Sequence, residues 1–162
     1  MNRARLRKRR DRDISVKKEA IGLFKKYRNE PLFFPGIALY WAEGTRLTKK
    51  YRKYQLALTN SDPSLINFYC EFLKKYFKNI PRENWRAELY LYPDINPEEA
   101  ISYWSHILGI SQRQFIKPQI LPSKNGQYKK LEFGTCCIYI NSKDACITMQ
   151  VWIELLCNSM RR

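Results

Sequence analysis

Residues 36–44 read Gly-Ile-Ala-Leu-Tyr-Trp-Ala-Glu-Gly, an apolar run that ends in one carboxylate followed by glycine. Ala38 and Ala42 are four residues apart and stack on one face of a helix, where two small side chains let another backbone come close. Glu43 stands where this helix is predicted to end, and Gly44 is expected to turn left-handed there. Such a helix can pair with a second copy of itself and place two acids side by side at one end of the interface.

The composition predicts a folded chain that binds a polyanion. With 162 residues, 44% of them hydrophobic, the chain is long enough and apolar enough to bury a core. Thirty Lys and Arg oppose fifteen Asp and Glu, which gives a net charge of +15. A protein this basic is expected to meet DNA, RNA or an anionic membrane surface.

Several classes of protein are disfavoured by the same sequence. No apolar run approaches eighteen residues, so no membrane span is predicted, and the basic N-terminus lacks the apolar segment of a secretory signal. The five cysteines match no zinc spacing and are interpreted as reduced, buried thiols, and a single histidine, His106, gives little support to a histidine metal site or a catalytic triad. The expected location is the cytoplasm, as in a bacterial nucleoid-associated protein, or an organellar matrix.

Two basic stretches are candidates for phosphate contact. Residues 1–13 are predicted to form a solvated arm, and residues 46–53 form a second basic stretch without an acid. Either stretch fits phosphate contact, and each also fits a bland interpretation, a solubilising tail for the first and a solvated turn for the second. The candidate contacts, together with Arg86 on a predicted strand, are Arg7, Lys8, Arg9, Arg10, Arg46, Lys49, Lys50, Arg52 and Lys53.

Periodicity and turn residues predict an α+β chain with a mostly antiparallel sheet. Residues 1–31 are expected to form the basic arm and a short helix, and residues 32–162 the main domain. Asp62-Pro63 and Asn96-Pro97 predict helix starts, and Gly109 predicts a helix end. Helices are expected at 15–28, 32–44, from 63, from 97 and at 143–157, and strands at 54–59, 85–92 and 132–140, with 45–51 as the hairpin partner of 54–59.

The nine residues 36–44 resemble the motif of the LAGLIDADG family of homing endonucleases and maturases. Ala42-Glu43-Gly44 matches its closing Ala-Asp-Gly with Glu for Asp, and Ala38-Leu39 matches its Gly-Leu. Trp41 replaces an acidic residue and Tyr40 an aliphatic one. The segments Thr59-Asn60-Ser61-Asp62-Pro63, Tyr103-Trp104 and Gln114-Phe115-Ile116-Lys117-Pro118 also resemble small single-motif members, so the resemblance covers about residues 32–157.

The resemblance implies a homodimer, because only one copy of the motif is present. In the family the motif helices pack at the domain interface, their acids bind Mg²⁺ or a similar metal near the scissile phosphates, and the sheets form a saddle over duplex DNA. On this chain Ala38, Leu39 and Ala42 would lie at the dimer interface. Glu43 would be the catalytic metal ligand, helped by the Gly44 carbonyl. Gln55 and Lys117 are assigned catalytic roles by position rather than by motif.

Three functions remain open at the level of sequence. The first is a site-specific endonuclease that uses Mg²⁺ or Mn²⁺ to hydrolyse duplex DNA. The second is a non-cleaving DNA-binding regulator with the same fold. The third is an RNA-binding or maturase-type factor, because basic arms and exposed tyrosines also suit single-stranded RNA.

Overall fold

The computed structural model describes residues 3–45, 54–122 and 131–159. The predicted α+β class is confirmed, with two helices first and then strands and helices interspersed. The helices are α1 Arg3–Tyr27, α2 Phe33–Glu43, α3 Pro63–Tyr76, α4 Pro97–Leu108 and α5 Lys143–Ser159. The strands are β1 Gln55–Asn60, β2 Trp85–Leu91, β3 Gln119–Ile120 and β4 Thr135–Asn141.

The four strands form one mixed sheet in the order β1-β4-β2-β3. The central strand β4 is antiparallel to both β1 and β2, as the sequence suggested, whereas the short strand β3 is parallel to β2. The predicted hairpin partner of β1 lies outside the described residues except for Thr45, whose N–H donates to the Ala57 carbonyl at 2.9 Å. The preceding Gly44 is paired with Leu58 in an isolated antiparallel bridge.

Alternation along the strands places the main core on one face of the sheet, and a small second cluster of Ala57, Cys137 and Tyr139 is buried on the other. In β2 the predicted inward residues Trp85, Ala87, Leu89 and Leu91 are all buried, and their neighbours are half-buried. Helices cover this face, and an aromatic cluster joins them, with Phe33 of α2 packing edge-on against Trp152 of α5 at 4.9 Å between ring centroids. Burial of such large rings is the main favourable term for the fold.

Local end signals determine where two helices begin and one ends. The Asp62 side chain accepts from the backbone N–H groups of Ser64 and Leu65, and Asn96 caps α4 in the same way. Gly109 ends α4 in the left-handed conformation with φ of 59°, as its position predicted. These ends fix the directions in which α3 and α4 cross the sheet.

The N-terminal region differs from the expectation of an arm followed by a helix from residue 15. The structure has one continuous helix, α1, from Arg3. Its second half packs along α5, where Ala20 and Phe24 join the core and Trp152 donates its indole N–H to the Ala20 carbonyl at 2.9 Å. The sequence signal for this continuity was the absence of proline and glycine before residue 22.

The cysteines form no disulfide bonds. All five cysteines are free; Cys70, Cys136, Cys137 and Cys146 are buried and Cys157 is half-buried, as interpreted from the sequence. Burial raises the pKa of the Cys70 thiol to about 12, which keeps it protonated and unreactive at neutral pH.

Among the described residues, no helix combines the length and apolar character that a membrane crossing requires.

Candidate functional site

Helix α2 has one face that belongs to the core of its own chain. Phe33, Gly36, Ile37 and Tyr40 lie on this face and are buried. A Cβ atom on Gly36 would overlap the ring of Phe72 on α3, so the two helices approach closely at this glycine. The helix is therefore held firmly in the protomer, and its orientation is fixed by contacts on this side.

The opposite face of α2 is apolar and exposed. Pro35, Ala38 and Ala42 are exposed and follow each other at helical spacing, with Leu39 and Trp41 half-buried beside them. Small side chains at three- and four-residue spacing leave a shallow groove into which the ridge of another helix fits at a short interaxial distance. Of the predicted interface residues, Ala38 and Ala42 are therefore exposed, whereas Leu39 is half-buried and packs against the core.

Glu43 is the last residue of α2 and is exposed. In the part of the chain that the structure describes, no ion pair or side-chain hydrogen bond joins it to another residue. A carboxylate at the C-terminal end of a helix faces the unpaired carbonyl groups and the negative end of the helix dipole, which is unfavourable by about 0.3–1 kcal/mol. The Glu43 carboxylate therefore does not stabilise α2.

Gly44 does not adopt the left-handed conformation expected of it. Its backbone is extended, with φ of −78° and ψ of 156°, so conformational freedom is not the reason for a glycine here. An added Cβ would overlap the ring of Tyr40, which covers Gly44 and donates its hydroxyl proton to the Thr45 carbonyl at 2.6 Å. Burial raises the pKa of the Tyr40 hydroxyl, so this hydrogen bond persists well above neutral pH.

Gln55 and Lys117, the two residues that were assigned catalytic roles by position, lie at different edges of the sheet. Gln55 begins β1 and points to the face of the sheet opposite the helices, three residues along the strand from Leu58, the partner of Gly44. At about 3.4 Å per residue, Gln55 lies roughly 10 Å along the sheet from the end of α2. It belongs to the same edge of the sheet as Glu43, although it does not contact it.

Lys117 lies at the other edge of the sheet. A single row crosses the sheet from Gly44 through Leu58, Ile138 and Ala87 to Phe115, two residues before Lys117. Four strand spacings of about 4.8 Å separate the ends of that row by roughly 19 Å. Within one protomer, the structure therefore does not bring Lys117 to Glu43, because the segment before β3 pairs with β2 rather than with β1.

The described residues bring together too few ligands for a complete metal site. Within residues 3–45, 54–122 and 131–159, no group of three His, Cys, Asp or Glu side chains converges as a metal site. Glu43 with the neighbouring Gly44 carbonyl is a donor set that Mg²⁺ accepts only when waters, phosphate oxygens or a second carboxylate complete it. Glu43 and the Gly44 carbonyl therefore fit a metal ion only where such further ligands complete its coordination.

The face of the sheet opposite the helices carries one charge of each sign beside a small buried cluster of Ala57, Cys137 and Tyr139, against which Tyr90 packs. Arg86 and Glu88 are the only charged residues that β1, β2 and β4 place there. One guanidinium nitrogen of Arg86 donates to the carbonyls of Glu83 and Trp85, both at 2.7 Å, which holds the side chain at the start of β2. Glu88 accepts from the amide of Gln119 at 2.5 Å. The large positive charge of the chain therefore lies elsewhere.

The N-terminal half of α1 carries the densest described positive charge. Arg7, Lys8, Arg9 and Arg10 are all exposed on it, as are the earlier arginines Arg3 and Arg5. The remaining candidate contacts, Arg46, Lys49, Lys50, Arg52 and Lys53, lie outside the described residues.

Two ion pairs fix α1 where this basic half begins. Asp13 accepts from Lys143 at 2.5 and 2.6 Å, and Arg12 donates to Asp144 at 2.7 Å. These partners stand in the first turn of α5, and Ala20 meets Trp152 farther on, so α1 and α5 run in the same direction. Residues 3–11 consequently extend about 14 Å past the start of α5 at 1.5 Å per residue.

No protein-family model, no curated protein and no solved structure matches this chain.

Proposed function

We propose that this chain is a LAGLIDADG-type, site-specific DNA endonuclease that acts as a homodimer. The observation that carries the proposal is the exposed face of α2, where Ala38 and Ala42 lie uncovered and Glu43 stands at the end. A helix whose other face is already packed into the core has one remaining apolar surface to bury, and a second copy of the same helix has the matching shape. Two-fold pairing of this surface brings the two Glu43 carboxylates to one end of the interface.

The element order after α2 supports the same proposal. The chain passes from α2 through Gly44 into the edge of a sheet, then through α3, further strands and a closing helix, α5. The resemblance led us to expect this order. The face of the sheet opposite the helices presents Arg86, Glu88 and Tyr90 of β2 as half-buried side chains, which we propose lie toward duplex DNA.

Each protomer contributes specific work to phosphodiester hydrolysis. Glu43, with the Gly44 carbonyl, would hold a divalent cation, Mg²⁺ or Mn²⁺, that it shares with the Glu43 of the second copy. A bound cation would supply a hydroxide nucleophile and relieve charge on the leaving oxygen. Tyr40 keeps the chain beyond Gly44 in place through its bond to Thr45. Gln55 lies on the same edge and orients water or phosphate, whereas Lys117 has no role in this arrangement because it lies at the far edge.

Two-fold symmetry of the protein predicts a pseudo-palindromic target. The net charge of +15 supplies sequence-independent attraction to phosphates, and base contacts from the sheet supply the choice of site.

A non-cleaving DNA-binding regulator is the second candidate, and one observation favours it. Each protomer offers a single acid at the end of α2, and the structure leaves Lys117 far from it. A domain that kept the dimer and the positive charge but lost catalysis would show this single acid and this distant lysine. An RNA-binding factor is the third candidate, and it draws on the same positive charge.

The test combines cleavage, binding and assembly on the same protein preparations. Wild type, Glu43→Gln and the control Glu99→Gln are incubated with a plasmid library in Mg²⁺ and in Mn²⁺. Glu99 is an exposed acid on α4, so its variant carries the same charge change away from α2. The proposal expects cleavage by wild type and Glu99→Gln, none by Glu43→Gln, and equal binding of duplex DNA by all three.

Other outcomes select among the alternatives. Binding of duplex DNA without cleavage in either metal removes the nuclease and leaves the regulator. Tight binding of structured RNA with no measurable duplex DNA binding supports the third function instead. A protein that remains monomeric on DNA overturns the pairing through α2.

A further inference from the structure

The N-terminal half of α1 is exposed and rich in like charges. Residues 3–12 are all exposed, and no acid stands in the first turn, where the positive end of the helix dipole favours one. Arginines instead occur four residues apart, as in the pairs Arg3 and Arg7 or Arg5 and Arg9, and like charges at this spacing repel. Such a helix gains stability when an anion lies along it.

The basic side chains form two rows on opposite sides of this helix. At 3.6 residues per turn, successive residues are about 100° apart around the axis. Arg7 and Arg10 therefore lie within about 40° of Arg3. The second row, centred about 190° away from Arg3, contains Arg5, Lys8 and Arg9.

One of the two gaps between the rows is about 100° wide and faces away from α5. Ala4 and Asp11 lie in it, and it is opposite the line of Asp13 and Ala20, along which α1 meets α5. A ligand that approaches the Ala4 side therefore meets a row of cations on each flank, on the side of the helix opposite α5. The two ion pairs of Arg12 and Asp13 hold the helix at this angle.

We propose that the N-terminal half of α1 lies in the major groove of duplex DNA, with one basic row on each phosphate backbone. An α-helix is about 10–12 Å across and the major groove about 12 Å wide, so flanking arginines reach the phosphates on both sides. Asp11, the one acid of this half, then faces the base edges, where cytosine offers an amino donor, rather than the phosphates. The inference rests on the proposed duplex DNA binding and is independent of cleavage.

The closing experiment measures affinity for a fluorescein-labelled 30-base-pair DNA duplex by anisotropy between 50 and 200 mM NaCl. One variant carries Arg3→Ala, Arg7→Ala and Arg10→Ala, and the second carries Arg5→Ala, Lys8→Ala and Arg9→Ala. The matched control carries Lys18→Ala, Lys25→Ala and Lys26→Ala, which removes three charges from exposed positions in the part of α1 that packs on α5. Alanine favours helix, and circular dichroism verifies that α1 remains formed.

Each row is expected to lower the magnitude of the slope of log K against log salt by about 2.7, since each lost phosphate contact contributes about 0.9. The control is expected to change the slope by less than about 1. An RNA duplex of the same sequence is expected to respond weakly to both rows, because its major groove is too deep and narrow for the helix.

The outcomes separate this inference from the function on which it rests. If wild type binds duplex DNA and only one row changes the slope, the helix lies along one strand and the groove placement is wrong. If neither row changes the slope, or if RNA responds as DNA does, the inference fails while DNA binding stands. If wild type binds no duplex at all, both fail together.

A second variant tests whether a formed helix is needed. Ala4→Gly with Leu6→Gly keeps every charge and weakens the helix at two exposed positions. The inference expects duplex binding several-fold weaker than that of wild type. Unchanged affinity would show that the basic residues act as a flexible chain, which overturns the groove placement.

Discussion

The two faces of α2 have the same kind of sequence and opposite surroundings. Phe33, Gly36 and Ile37 on one face are fully enclosed by α3, α5 and the sheet, whereas Ala38 and Ala42 on the other are exposed. Both faces are apolar, so hydrophobicity alone does not tell which one belongs to the core. On the buried face, Phe33 and Ile37 fill the space around the close approach at Gly36, whereas the methyl groups of Ala38 and Ala42 are left outside. Small exposed apolar residues at helical spacing are what a helix–helix contact between two chains requires.

The largest expected effect comes from removing a ring on the buried face. Phe33→Ala is expected to lower the free energy of unfolding by about 3–5 kcal/mol, because Phe33 is fully buried and its ring meets Trp152 at 4.9 Å and Tyr76 at 5.0 Å. Urea unfolding at a fixed protein concentration measures it. Phe34→Ala, at a half-buried neighbour, is the control and is expected to lose clearly less. Equal losses at both positions would show that the faces of α2 are not distinct.

A charge on the exposed face is expected to break the dimer and spare the fold. Ala38→Arg places a cation at the centre of the proposed interface, where a disrupted contact costs at least about 2 kcal/mol, or roughly 30-fold in the dimer dissociation constant. The free energy of unfolding of the protomer is expected to change by less than about 0.5 kcal/mol. Sedimentation equilibrium gives the first quantity and urea unfolding of dilute protein gives the second.

The control for that variant is Asn67→Arg, which adds the same side chain to an exposed position on α3. It is expected to dimerise as wild type does. If Ala38→Arg also dimerises normally, two-fold pairing through α2 is wrong, and the proposed shared acidic site falls with it.

Replacing a glycine by alanine adds one methyl group, and its effect on a packed helix face can be compared with its effect on an open one. Gly36→Ala is expected to destabilise the fold by about 1–3 kcal/mol, because the methyl overlaps the Phe72 ring. Gly22→Ala on α1 has no atom within 4 Å of the new Cβ and is expected to stabilise by up to about 1 kcal/mol through helix propensity. Thermal unfolding of both variants measures these two changes in stability. A stabilising Gly36→Ala would mean that α2 and α3 are farther apart than described.

Local patterns predicted much of this fold from the sequence. The alternation of β2 and the helix starts at Asp62 and Asn96 depend on neighbours within a few residues, and each was confirmed. The exposure of Ala38 and Ala42 agrees with the interface role that the resemblance implied, although pairing itself remains a prediction.

Features that depend on contacts between residues distant in the chain could not be predicted from the sequence. Lys117 was assigned to the acidic site, yet strand order places its segment beside β2, and nothing near it in sequence encodes that choice. Gly44 is a glycine because of the Tyr40 ring rather than because of a left-handed turn. The basic N-terminus was predicted as an arm because its charge suggests solvation, whereas α5 supplies partners for Arg12 and Asp13 that extend the helix.

Tyr40 links the buried face of α2 to the end that carries Glu43, and pH tests this link. Burial raises its pKa above the ordinary value of 10.0, so the folded state holds the proton more tightly than the unfolded chain does. This contribution to stability is complete below pH 10 and is lost as the pH rises through the folded pKa. Tyr40→Phe is expected to cost about 0.5–1.5 kcal/mol at pH 7, from the lost bond to Thr45, and to show a smaller alkaline decrease. Urea unfolding at pH 7 and at pH 10.5 measures both, and an unchanged alkaline decrease would count against the role of Tyr40.

The smallest expected effect is also the one most specific to function. Glu43→Gln removes a carboxylate from the negative end of the α2 dipole, so the free energy of unfolding should rise by about 0.3–1 kcal/mol. In a metal-free dimer the two acids repel, and the variant should therefore dimerise more tightly than wild type in EDTA. Addition of Mg²⁺ should reverse this order, because a shared cation links carboxylates but not amides. Sedimentation of both proteins with and without Mg²⁺ tests the point without reference to cleavage. If the dimer constant of wild type is indifferent to Mg²⁺ and equal to that of the variant, the two acids do not meet, and Glu43 is only the last residue of a helix.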